Sequence, residues 1–137
     1  MFEKFIESGK VIKGMSDLQK SKSLIKMSEI TFKYATSIPI DDSNSSIILT
    51  NLYESLREIL EAMCLREGYK VYSHEAFTFY LRKLNENEIA EKFDRFRKLR
   101  NGVNYYGKPV SKEVTINARD EIIKIKLKLR EKYLKNL

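Results

Sequence analysis

A chain of 137 residues, 42% hydrophobic and 33% charged, has the size of one ordinary domain and enough apolar material for its own core, which excludes a disordered polypeptide. No apolar run approaches the ~18 residues that a spanning helix needs, and Met1-Phe2-Glu3-Lys4-Phe5-Ile6-Glu7 lacks the apolar stretch of a secretory signal, so a cytoplasmic protein without membrane contact is expected. One cysteine, Cys64, and one histidine, His74, exclude a disulfide scaffold and a structural zinc site.

The net charge is +7. It suits a polyanionic partner such as RNA or a nucleotide, or else reflects a composition generally rich in Lys and Glu. With few Gly and Pro, the elements should be long, and the breakers divide the chain into segments. Gly9 and Gly14 flank a short N-terminal piece. The first long helix is predicted from Ser16 to about Ser37. Leu18, Ser21, Ile25, Ser28, Phe32 and Ala35 form a narrow stripe whose small members imply close approach of another helix. Pro39 and the polar run Asp41-Asp42-Ser43-Asn44-Ser45-Ser46 end that segment and cap the next.

The second helix is predicted from about Ser45 to Glu67. Leu49, Leu52, Leu56, Ile59 and Met63, widened by Tyr53, Leu60 and Cys64, give the strongest periodic signal in the chain. Cys64 on this stripe reads as an inert core thiol. A third, shorter helix opens at Ser73 as N-cap and carries Ala76, Phe77, Tyr80, Leu81 and Leu84. His74, at its first position, reads as a structural or capping residue. A fourth runs from about Glu86 to Asn101 with Ile89, Phe93, Phe96 and Leu99 inward. The fifth is predicted from Ser111 to Lys135, with Val114, Ala118, Ile122, Ile125 and Leu129 at helical spacing. Within it Ile123 to Arg130 alternates with period two, a strand pattern. Strong helix formers on both sides favour a helix with apolar residues on two faces, one for the core and one for a second subunit. Its basic residues Lys124, Lys126, Lys128, Arg130 and Lys132 read as a solvated face, with phosphate contact as the alternative. The fold class is therefore all-α: an up-and-down bundle of four long helices plus a shorter one, in a single domain over residues 1–137.

One stretch carries chemistry: Phe96-Arg97-Lys98-Leu99-Arg100-Asn101-Gly102-Val103-Asn104-Tyr105-Tyr106-Gly107. Arg100 follows Phe96 by four residues and so shares its inward face, where a guanidinium needs an anion or acceptors. Guanidinium forks match phosphate. Asn104 could share the pocket if the helix runs past Gly102, and Tyr105 and Tyr106 offer faces on which bases stack. Arg97 and Asn101 complete the candidate anion- or RNA-binding set. The alternative is that Arg100 satisfies helix-end carbonyls and the tyrosines merely pack. No metal ligand set and no cofactor motif is present, so neither is expected.

This arrangement resembles the HEPN domain, a helical bundle whose signature is an Arg, usually a polar residue such as Asn, and a His four to six residues after the Arg near the end of a late helix. Arg100 and Asn101 match the first two positions, and Tyr105 stands in place of the histidine. Tyr106-Gly107 is also in keeping, as are Leu52-Tyr53-Glu54-Ser55-Leu56-Arg57-Glu58 and Ser73-His74-Glu75-Ala76 in the earlier helices. The resemblance spans roughly Ser16 to Lys135. It implies a homodimer with both subunits' motif residues lining one cleft, and either metal-independent endoribonuclease activity or a non-catalytic RNA- or nucleotide-binding role. It also implies a minimal nucleotidyltransferase as partner in a toxin–antitoxin-type system. Proton transfer near neutral pH needs a group of matching pKa, and tyrosine at ~10 is a poor replacement for histidine. A non-catalytic module is therefore expected. The alternatives are an endoribonuclease using Arg100 with Tyr105 or Tyr106, and a structural protein–protein interaction bundle.

Overall fold

The strongest apolar stripe becomes the centre of the molecule. In the computed structural model, which describes residues 1–137, the helix α3 (Ser45–Arg66) follows α1 (Phe2–Glu7), strand β1 (Val11–Lys13) and α2 (Leu18–Ala35). After it come strand β2 (Tyr69–Val71), α4 (Glu75–Lys83), α5 (Asn87–Tyr106) and α6 (Lys112–Tyr133). The protein is an all-α bundle of four long helices and one shorter, with a sixth, six-residue helix at its start. Leu49, Leu52, Tyr53, Leu56, Ile59, Leu60 and Cys64 of α3 have no exposed surface. A helix buried on most of its circumference must be covered from several sides. Accordingly α3 packs against α2, α5, α6 and β2, while α4 packs on α5. No helix is long and apolar enough to cross a membrane.

The small residues of the first predicted stripe act as expected. Ser21 and Ser28 are fully buried, and their hydroxyls donate to Ala62 O (2.8 Å) and Ser55 O (2.5 Å) across the α2–α3 contact. Each satisfies a buried polar group that would otherwise cost free energy. At the other end of α3, Ser45 Oγ donates to Val110 O (2.5 Å) and Thr115 Oγ1 to Ser45 O (2.9 Å), fastening the start of α6.

Four features differ from the sequence reading. The N-terminal piece is structured: Phe2 is buried between Tyr69 and Tyr80, with ring centroids at 5.2 and 5.5 Å. β1 pairs antiparallel with β2, Val11 opposite Val71. Gly68 enters β2 at φ +92°, where a Cβ would lie 2.3 Å from the Gly14 carbonyl oxygen. α5 runs on past Gly102 and ends at Gly107, in the left-handed conformation at φ +61°, rather than at Asn101. Gly102 is tolerated in a helix interior at a cost of only ~1 kcal/mol, whereas Gly107 supplies the helix stop. Ser73 makes no side-chain cap, and α4 begins after His74. Finally, Lys126 is not on a solvated face: it is 8% exposed, between Ile125 and Leu129 on the inner side of α6. The alternating run does present two apolar faces, since Ile122, Ile125 and Leu129 are buried while Leu127 is 58% exposed.

Candidate anion-binding site

The buried phenol of Tyr53, on α3, is the hub of the site. Its ring stacks on Phe93 of α5 at 5.4 Å, and its hydroxyl is 2.9 Å from His74 Nδ1 at the head of α4. Three helices thus meet on one side chain. Burial raises the phenol well above its ordinary pKa, so it stays protonated. A neutral imidazole accepting that proton at Nδ1 carries its own on Nε2. Burial lowers the His74 pKa, and the nearby charges of Arg57 and Arg100 lower it further, against Glu54 and Glu61, which raise it.

Arg100 reaches the same phenol from α5. Its guanidinium lies 5.7 Å from the ring centroids of both Tyr53 and Tyr105, within range for cation–π attraction. Nη1 donates to Asn101 Oδ1 (3.1 Å) and to Tyr105 Oη (3.4 Å). The continuation of α5 past Gly102 makes this possible, because it sets Tyr105 five residues on, within reach of the guanidinium. Nε and Nη2 have no protein acceptor, and Arg100 forms no salt bridge. The side-on edge of the fork, the one that takes carboxylate or phosphate in two parallel hydrogen bonds, is free.

The neighbouring cations are spent. Arg57 lies between Glu54 and Glu61, donating from Nε to Glu54 at 3.0 Å and pairing with both carboxylates through its other nitrogens. Burial would raise the Glu54 carboxyl, but the hydrogen bonds and charge of Arg57, with the charges of His74 and Arg100, hold it below its ordinary value. Arg97 donates to Asp94 Oδ1 from Nε (3.1 Å) and Nη2 (2.9 Å), and Lys98 pairs with the other oxygen (3.1 Å). Glu54, Glu61 and Asp94 therefore engage Arg57, Arg97 and Lys98, which leaves one net positive charge at Arg100.

Of the six residues singled out from sequence, Arg100, Asn101 and Tyr105 come together by direct hydrogen bonds. Arg97 is committed to Asp94. Asn104 and Tyr106 are exposed, Tyr106 at 75%, and make no side-chain hydrogen bond. Arg100, Asn101 and Tyr105 together form a surface shelf, half-buried at Arg100 and Asn101 and exposed at Tyr105. Sequence reasoning missed Tyr53 and Arg57 as neighbours of Arg100. Their only signal is that Tyr53 and Arg57 are four apart, on one face of α3. Cys64 is the buried, inert thiol expected: burial raises its pKa well above the ordinary value. Among the residues of this shelf no group of side chains is suited to hold a metal ion. Comparison with protein-family models, with curated proteins and with solved structures finds no match to this chain.

Proposed function

We propose that this protein is a HEPN-like, non-catalytic module that binds the phosphate of RNA or a nucleotide, with Arg100 as the anion anchor. The observation that supports this reading is the free Nε–Nη2 edge of a half-buried guanidinium, framed by Tyr53, Tyr105 and Asn101 with no carboxylate on it. Arginine cannot shed its charge, so a half-buried guanidinium without a counterion favours an incoming anion. The exposed rings of Tyr105 and Tyr106 supply stacking faces beside it. A homodimer that sets two such shelves face to face, a cytoplasmic setting and a nucleotidyltransferase as protein partner belong to the same reading. The test is fluorescence anisotropy with single-stranded RNA over a salt series. The wild type should bind with a negative salt slope, and Arg100→Ala should weaken binding about tenfold at low salt. Equal binding by wild type and variant overturns the reading.

One observation favours a second reading, a metal-independent endoribonuclease. His74 shares Tyr53 with Arg100, so an imidazole stands in the cluster where Tyr105 occupies the motif position. In the tautomer that donates from Nδ1 to the Tyr53 oxygen, its free Nε2 would accept the 2′-hydroxyl proton during attack on the adjacent phosphate. Incubation with single-stranded RNA in EDTA decides it. Cleavage lost in His74→Gln supports this reading, and intact RNA from neutral to about pH 9 removes it.

A further inference from the structure

Lys126 is the one lysine buried in the protein, and it forms no salt bridge with a carboxylate. α2 and α6 both lie on α3, and between them runs a cavity of about 430 Å³ lined by Phe32, Ile123 and Leu127 together with Lys33, Lys126 and Arg130. Ligand sites of this size are mostly apolar with a few placed polar groups. The Arg130–Glu29 ion pair bridges the two helices across it. Lys126 is 8% exposed, its Nζ 4.5 Å from the Phe32 ring centroid and donating to Ser28 O at 3.2 Å. An ammonium has three donors. Ser28 takes one, and no carboxylate forms a salt bridge with it. Glu58 on α3 is near enough to attract it, yet Glu58 is itself buried with an Oε1 that has no partner.

We propose that this groove binds an amphipathic monocarboxylate, its head held by the Lys126 ammonium and its apolar body laid along Phe32, Ile123 and Leu127. A buried cation lacking a counterion is stabilised most by an anion brought to it. Of the three cations lining the cavity, Arg130 is paired with Glu29 and Lys33 is exposed to solvent, so the buried ammonium offers one charge to match. A polar ligand without an apolar body would leave Leu127 uncovered, and that side chain is 58% exposed beside the cavity. Burial lowers the Lys126 pKa to about 8, with Glu58 and Glu29 opposing the shift and Arg130 adding to it. The cation is thus present at neutral pH but held at a cost that an anion would offset.

The probe is decanoate, with decanol as the uncharged control, titrated into the full chain by calorimetry and followed by amide chemical shifts. One decanoate should bind per chain, about tenfold more tightly than decanol, with shifts at Phe32, Ile123 and Leu127. Lys126→Met should erase the preference while leaving decanol binding in place. Leu127→Glu, at an exposed position that cannot unfold the core, should repel decanoate in the same way. Three results overturn the proposal: no binding by the wild type, equal affinity for acid and alcohol, or undiminished decanoate binding in both variants. Self-association of the wild type that blocks decanoate and is broken by Leu127→Glu would overturn the proposal and assign the groove to a second copy of the chain.

Discussion

Arg100 and Lys126 are both cations without a carboxylate, and they live with it differently. The guanidinium at the end of α5 is half-buried, rests on two aromatic rings and shares its hydrogens with an amide and a phenol. The ammonium between α2 and α6 is almost wholly buried, with one carbonyl and one phenyl ring. A delocalised, weakly hydrated charge tolerates partial burial and stays charged. A compact, strongly hydrated one gives ground by releasing its proton more easily. An unpaired arginine therefore marks a place where charge is always on offer, and an unpaired lysine a place where charge depends on what arrives.

The largest expected effect separates the two through pH. The folded-state pKa of Lys126 is lowered to about 8, so above that pH the folded protein has lost a proton that the unfolded chain still holds. The Lys126 contribution to stability should therefore rise between about pH 8 and 10, by up to ~2 kcal/mol once solvent screening is allowed for, against an opposing loss from Cys64 and Tyr53, whose protons the unfolded chain releases first. Urea unfolding across that range checks it, and Lys126→Met should flatten the rise. Arg100→Ala should leave the rise intact.

Next comes ligand choice. Arg100→Ala should lose about tenfold in RNA affinity with decanoate binding unchanged, and Lys126→Met should do the reverse. Loss of both ligands in either variant would merge the two regions into one. A smaller effect is expected of Tyr53→Phe, which keeps the ring beneath Arg100 and removes the hydroxyl from His74 Nδ1. It should cost about 1 kcal/mol by chemical denaturation. The smallest concerns His74, whose pKa is lowered by burial and then by Arg57 and Arg100, against Glu54 and Glu61. The unfolded chain binds that proton first, so stability should fall as pH drops below about 6.5, and His74→Gln should blunt the fall.

The sequence disclosed these two regions unequally. Arg100, Asn101 and Tyr105 lie within six residues, so their meeting was legible once one helix was assumed to run through them. Only Gly102 argued for a break. Tyr53 and His74 were not legible as its neighbours, because they arrive from α3 and α4 through tertiary packing. Lys126 was misread because it sits in an alternating run rich in lysines. One signal was available: it follows Ile122 by four and precedes Leu129 by three, which puts it on the buried stripe of a helix. The long stripe of α3 was plain because it repeats over many turns. The short pieces α1, β1 and β2 span six, three and three residues, too few for any period to show.

The turn at Gly68 has a consequence for how such a protein can diverge. Its missing side chain is what lets one stretch of main chain lie against the Gly14 carbonyl, so no other amino acid fits there without prying Val11–Lys13 from Tyr69–Val71. Descendants of this gene are free to redraw the surface around Arg100 one substitution at a time. At position 68 they have a single option, and a relative carrying anything else will have abandoned the strand pair along with it.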